Sequence, residues 1–299
     1  MTLTTPADTP PREGRRPALG LRPDVRNLSL LGVLAVLVLV GGLTRPAEFL
    51  AASNLQLVLT QASVIGVVTV GMTFVITGGG IDLSVGAVVA LASVWATTLA
   101  TQEFGFAGIL FTAVVVGLGC GLVNGLLVAY GGMVPFIATL AMLASARGLA
   151  LQITEGRTQI VTVPSVLDLG LPDSYLLGIP PLVLVFAAVT AAGWLLLNRT
   201  TFGRRTVAAF LLIVLSGSGQ NTNGNLYELD AIAAAIIGGT LLSGGRGTVA
   251  GSVLGVLVFT TITNLFALNN LQSDVQQIAK GAIIVAAVLV QHRTARDPH

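Results

Sequence analysis

Residues 75–93 read VITGGGIDLSVGAVVALAS: an apolar run that stops at Gly78-Gly79-Gly80, carries Asp82 just past the stop, and resumes at Val85-Gly86-Ala87-Val88-Val89-Ala90. Two membrane helices meeting at a tight break give this pattern. Glycine adopts backbone angles that other residues resist. Asp82 or Ser84 can cap the second helix by accepting hydrogen bonds from its free N–H groups. Non-helical backbone survives at membrane depth only when it is packed in protein or lines a wet cavity.

The rest of the composition agrees with a membrane setting. The chain is 54% hydrophobic and 9% charged, against roughly 25% charged for an average soluble domain. Glycine supplies 36 of 299 residues, well above the usual ~7%. Small residues at this density let membrane helices approach closely, and apolar runs of ~20 residues recur along the chain. Cys120 is the only cysteine, so no intrachain disulfide can form. It lies in a glycine-rich apolar run and is expected to pack there. Lys280 is the only lysine. His292 and His299 fall in the polar C-terminal tail, which argues against a histidine-based active site, and no zinc-ligand spacing occurs. No metal, no cofactor and no enzymatic chemistry are expected.

Read in order, residues 1–27 form a polar tail with Arg12, Arg15, Arg16, Arg22 and Arg26. The run Leu28–Leu43 is either a signal-peptide core, with cleavage near Ala51-Ala52-Ser53, or an uncleaved first span. The long polar leader and the many later spans favour the second. Further spans are expected at Asn54–Thr77, Ile81–Ala100, Ala107–Tyr130 and Phe136–Ile153, then Tyr175–Leu197, Leu226–Leu242, Thr248–Leu268 and Val275–Val290. One segment does not fit. Val207–Leu215 is apolar but only nine residues long, where a crossing helix needs ~20. The expected architecture is an all-α polytopic membrane protein of about ten helices, the seventh truncated. Its permease domain covers 28–290, between tails 1–27 and 291–299.

Charge placement orients it. With the N-terminus inside, both tails, the loop bearing Arg199, Arg204 and Arg205, and Arg246 all fall on the cytoplasmic side. Glu103 and the acidic loop 154–174 fall outside, as the positive-inside rule requires. This agreement counts the short seventh segment as a crossing.

The pattern GG-x-x-LS-x-G occurs twice, at Gly79–Gly86 and at Gly238–Gly245. Either two glycine-rich segments coincide, or the chain carries an internal repeat of the kind many transporter folds contain.

Four blocks in order carry a resemblance: GGGIDLSVG at 78–86, VNGLLVAYGGMVPFIATLAMLASARGLAL at 123–151, TTFGRR at 200–205 and YELDAIAAAIIGGTLLSGGRGTVAGSVLG at 227–255. Together the chain resembles the permease subunits of bacterial ribose-type monosaccharide ATP-binding cassette importers over nearly its whole length. The resemblance implies a ten-span inner-membrane permease that pairs with a second permease subunit. It implies a separate ATPase subunit on the cytoplasmic side and a periplasmic or lipid-anchored sugar-binding protein. Independently, the chain has no G-x-x-x-x-G-K-[ST] loop, so ATP hydrolysis would belong to another chain. There is a departure. After Arg204-Arg205 the family continues into a cytoplasmic helix that docks on the ATPase and then a full span, whereas here Val207–Leu215 follows directly. Roughly forty residues are absent by this reckoning, which implies weakened ATPase coupling.

Candidate residues follow from polarity inside apolar spans. Asp82 is a helix cap or lines the solute pathway, and Ser84 shares both readings. Asn124 makes an interhelical hydrogen bond or contacts solute. Gln61, Thr69, Thr73 and Thr77 fall on one face of the second span. That stripe faces a cavity or a partner helix, unless the threonines bond their own backbone. Glu228 and Asp230 are expected near the outer surface, meeting a binding protein or simply solvated. Arg199, Arg204, Arg205 and Arg246 are headgroup anchors or part of an ATPase interface. The expected function is import of a monosaccharide by alternating access. A nucleoside or branched amino acid is the alternative cargo. A proton-coupled transporter would need relays for which only Asp82 is a candidate.

Overall fold

The computed structural model describes residues 25–171, 175–176, 178–197, 218–220, 222 and 224–294. Arg199, Arg204, Arg205 and the short segment Val207–Leu215 lie outside the described residues. Among the described residues, nine helices longer than one turn carry the architecture. They are α1 (Val25–Thr44), α2 (Ala52–Thr77), α3 (Val85–Ala96), α4 (Gly105–Ala129), α5 (Pro135–Thr154), α6 (Pro181–Leu197), α7 (Tyr227–Ile237), α8 (Val249–Leu268) and α9 (Ser273–Thr294). One small antiparallel pairing joins β1 (Gln159–Ile160) to β2 (Ser218–Gly219).

Five of these helices, α1, α2, α4, α5 and α8, are long and apolar enough to cross a membrane. Of the others, α9 covers the expected span Val275–Val290, while α3, α6 and α7 differ from expectation in an informative way. Ile81–Ala100 reads as one span, yet the helix occupies only Val85–Ala96, 12 residues. At ~1.5 Å per residue that is about 18 Å, well short of a ~30 Å hydrocarbon layer. Residues 81–84 before it are not helical. Leu226–Leu242 likewise shrinks to the 11 residues of α7. Leu226 stands before it at a left-handed φ of 64°, and Gly238 closes it. Pro181 sets the start of α6, six residues into the expected span, because proline lacks the donor needed deeper in a helix.

The packing forms two groups that meet where α3 touches α7. In the first, α3 lies against α4 and α5; in the second, α2, α7 and α8 pack on one another. α1 and α6 flank α8, and α9 flanks α7. Every residue of α3 except Trp95 is buried, so the shortest helix of its group is also its most enclosed. Small residues permit this. Where α7 passes α8, a β-carbon on Gly255 would overlap the Ala234 carbonyl, and one on Gly238 would overlap Gly251. Backbones touch there, as in other tightly packed membrane helices.

Buried polar side chains staple the groups. Asn54 and Asn264 exchange amide hydrogen bonds of 3.2 and 2.8 Å between α2 and α8. Gln102 is buried. Its Nε2 donates to the carbonyls of Thr97 and Ile160, and its Oε1 accepts from the Thr162 N–H and hydroxyl. This ties the long loop after α5 to the end of α3.

Candidate functional site

Both glycine-rich stretches end a helix in the same way. At the end of α2 the N–H groups of Gly78, Gly79 and Gly80 donate to Phe74, Ile76 and Val75 at 3.0, 2.8 and 3.0 Å. At the end of α7 those of Gly238, Gly239 and Thr240 donate to Ala234, Ile236 and Ala235 at 2.8, 2.7 and 2.8 Å. Gly79 and Gly239 take φ values of 81° and 80°, a region costly for any residue with a β-carbon. The geometric match pairs Gly79 with Gly239, one residue off the register in which the sequence pattern echoes. The two endings also touch. The Gly245 N–H donates to the Thr77 carbonyl at 3.0 Å, and a β-carbon on Gly244 would lie 3.1 Å from Gly79 Cα.

After the first ending the chain enters a buried polar knot. Asp82 is 1% exposed, Ser84 0% and Asn124 4%. Asp82 Oδ1 accepts from the Ser84 N–H at 2.9 Å and from the Ser84 hydroxyl at 2.6 Å. Asn124 Nδ2 donates to Ser84 Oγ at 3.2 Å. Ser84 stands at the N-cap position of α3 without accepting from the helix. Ser84 therefore does not cap α3 through its side chain, while Asp82 holds the turn that leads into the helix. Asn124 does make an interhelical hydrogen bond, and its Oδ1 is buried with no hydrogen-bond partner among the described residues.

The stripe on α2 has a packing role. Thr69, Thr73 and Thr77 each donate to the carbonyl four residues back, at 2.8, 2.7 and 2.5 Å. Thr73 also shares a 2.7 Å hydrogen bond with Ser252 on α8, and Thr240 reaches the same serine at 3.4 Å. The stripe thus faces a partner helix, and Gln61 sits half-buried above it. Arg246 is exposed in the turn between α7 and α8. Ser243, which echoes Ser84 in sequence, is exposed where Ser84 is buried.

Glu228 and Asp230 do not sit on an open surface. Asp230 is 6% exposed, and Lys280 on α9 donates to both of its carboxylate oxygens at 3.3 and 3.0 Å. The Lys280 ammonium also lies 5.3 Å from the Phe259 ring centroid, within cation–π range. Glu228 turns the other way. A β-carbon on Gly86 would overlap Glu228 Oε2 and the Gly224 carbonyl, so this carboxylate lies against the first turn of α3. Its Oε2 is buried with no hydrogen-bond partner among the described residues. Arg147, on α5, is the cation within electrostatic reach of it.

Arg147 and Lys280 are the functional candidates that the residue-by-residue reading passed over. The available signal was an arginine two-thirds of the way along an apolar span, and a lone lysine in the last span. Ionised groups so placed face the bundle interior and find partners. Two acids two residues apart at the start of α7 are those partners.

One further concavity, about 500 Å³ between α2, α6 and α8, is lined by side chains such as Leu59, Phe186, Trp194 and Leu257. It carries no charged group and offers little to a polar solute. Among the described residues no cluster of acids, histidines and cysteines could hold a metal ion.

Comparison with known proteins adds the following. The family described as "Branched-chain amino acid transport system / permease component" matches residues 54–210. A ribose import permease protein of Bacillus subtilis (strain 168) is 37% identical over 295 residues, covering 87% of this chain and 91% of the relative. A ribose import permease protein of Escherichia coli (strain K12) is 31% identical over 304 residues, covering 89% and 93%. A galactofuranose transporter permease protein of the same organism is 31% identical over 268 residues, covering 78% of each chain. No solved structure matches this chain.

Proposed function

The chain belongs to the branched-chain amino acid transport system / permease component family, and from that premise we propose that it is the membrane-spanning subunit of an ATP-binding cassette importer for a monosaccharide. The family is one of transporter subunits, and the apolar helices fit a multi-pass protein of the inner membrane. The observation that carries the sugar reading is the polar knot at the start of α3. It is rich in hydrogen-bonding groups and sits inside an apolar bundle whose relatives are ribose import permeases. Sugar hydroxyls both donate and accept, so uncharged amide and hydroxyl groups beside a carboxylate suit them.

In this reading Asp82, Ser84 and Asn124 border the solute pathway, and the α2 stripe of Gln61, Thr69, Thr73 and Thr77 is the seam along which helices slide during alternating access. Two helix endings of one geometry support an internally repeated architecture of about ten spans. Both termini are cytoplasmic. The partners are a second permease subunit, a sugar-binding protein outside and an ATPase inside, the last meeting Arg246 and the arginines at 199, 204 and 205.

ATPase coupling is weakened in this chain. The supporting facts are the nine-residue segment Val207–Leu215 and an alignment that runs over 295 positions while using 87% of this chain. That alignment has more positions than this chain supplies residues.

The deciding experiment reconstitutes the chain with its neighbouring ATPase and binding protein in liposomes and follows labelled ribose. ATP-dependent accumulation is expected, slow in proportion to the weakened coupling. Uptake that follows a proton gradient and ignores ATP would sink the reading. Capture of the ATPase at the affinity shown by an unshortened relative would remove the coupling claim alone. A cysteine placed after Gln291 in a Cys120→Ala background tests orientation: labelling by an impermeant reagent only after the membrane is opened is the expected result.

A further inference from the structure

Gly86, in the first turn of α3, and Gly224, just before α7, are in backbone contact. A β-carbon on Gly224 would lie 2.8 Å from the Gly86 carbonyl oxygen, and one on Gly86 would overlap the Gly224 carbonyl. Two short helices therefore meet start to start in the interior of the bundle. Helix starts carry free N–H groups and partial positive charge. Beside this junction Asn124 Oδ1 and Glu228 Oε2 are both buried and have no hydrogen-bond partner among the described residues. Asn124 arrives through Ser84, and Glu228 packs on Gly86. A buried acceptor left open costs free energy, about 1–3 kcal/mol in general, so two at one helix start call for an occupant that donates.

We propose that Glu228 forms with Asn124 the two walls of a binding site for a neutral polyhydroxylated solute at the junction of α3 and α7. The inference rests on the permease reading above and goes beyond it by naming the second wall and the rule of selection. An ionised carboxylate only accepts hydrogen bonds, as does the open Asn124 oxygen. A polyol supplies hydroxyl donors to both. A carboxylate-bearing solute such as an amino acid would bring oxygens that only accept to two oxygens that only accept. A cation would meet the partial positive charge of the two helix starts. Glu228 is thus a specificity residue that favours sugars within a family named for branched-chain amino acids. The structure shows the junction shut, so α3 and α7 must part at Gly86 and Gly224 for the solute to enter.

The test is equilibrium binding of radiolabelled D-ribose to the purified full-length chain in lipid nanodiscs, with L-valine as competitor. This readout needs neither ATPase nor uptake, so it is independent of coupling. Saturable ribose binding that valine does not displace is expected. E228Q, which keeps the volume and loses the charge, should weaken ribose binding by about tenfold, the factor that loss of a charged hydrogen bond carries. N124L should weaken it comparably. E228D keeps the charge and withdraws the oxygens by one methylene. It guards against a folding defect in E228Q, and it too should bind more weakly while eluting as a single folded species. Unchanged ribose affinity in either folded Glu228 variant, displacement by valine, or absence of saturable ribose binding in the wild type each overturns the proposal. The importer reading falls on a different result, the failure of ATP-dependent uptake.

Discussion

In the region 52–96 a 26-residue helix precedes the glycine ending and a 12-residue helix follows it. In the region 224–268 an 11-residue helix precedes the ending and a 20-residue helix follows. The endings share hydrogen bonds and φ values, yet the short helix lies on opposite sides of them. This exchange is what brings the starts of α3 and α7 together. It also assigns the buried acids different environments. Asp82 is held by a hydroxyl and an N–H, whereas Asp230 is held by the ammonium of Lys280. A hydrogen-bonded knot can rearrange bond by bond. A buried ion pair resists separation, because each charge left alone pays its full desolvation. The second region is therefore the anchored one and the first the adaptable one.

The strongest test of that contrast removes Lys280. Lys280→Met leaves Asp230 buried and uncompensated, and a loss of about 3–5 kcal/mol is expected, read as a fall in the unfolding midpoint in detergent. Adding Asp230→Leu should recover most of it. A double variant as unstable as the single one would show that the ion pair is not what anchors α9 to α7.

Next comes the contact between the regions. Gly86→Val places methyl groups where Glu228 Oε2 and the Gly224 carbonyl already lie. Overpacking of this kind costs roughly 1–3 kcal/mol. The expected outcome is a broadened size-exclusion profile and low yield. A well-folded Gly86→Val protein would mean that the helix starts can stand apart without cost.

Asp82→Ala removes two hydrogen bonds from a buried turn and should cost about 1–3 kcal/mol. Asp82→Asn retains an acceptor and should cost less than half as much, which distinguishes hydrogen bonding from charge. Equal losses in the two variants, measured by chemical unfolding, would make Asp82 an electrostatic residue like Asp230 and erase the contrast.

The smallest effect is expected on the α2 stripe. Thr73→Val loses the bond to Ser252 and should cost about 0.5–1.5 kcal/mol. Thr69→Val loses only a bond to its own backbone and should be nearly silent. If Thr69→Val were the costlier of the two, the stripe would not be a helix–helix seam.

Much of this molecule is readable along the chain because membrane helices announce themselves by length and apolarity. The ends of α1, α2, α4, α5 and α8 fall within three residues of the expected spans, since glycine, proline and polar residues punctuate them locally. Asp82, Ser84 and Asn124 stand out as polar residues in apolar surroundings, and the structure joins them in one hydrogen-bonded knot. The partners of Glu228 and Asp230 are not readable in that way. They come from α5 and α9, and nothing local in Arg147 or Lys280 says which acid each will meet. The short lengths of α3 and α7 also escape, because an apolar extended stretch and an apolar helix have the same composition. Hydropathy windows cannot separate them.

The sequence by itself determined an all-helical membrane protein, the position of its glycine breaks and the family to which it belongs, because apolar runs and glycine geometry act over a few residues. Only the tertiary structure decided that two short helices meet at Gly86 and Gly224, that one buried acid is held by hydrogen bonds and another by a lysine fifty residues away, and that Glu228 faces the junction. Those outcomes depend on which helices lie side by side, and that is settled by packing between distant segments rather than by any stretch alone.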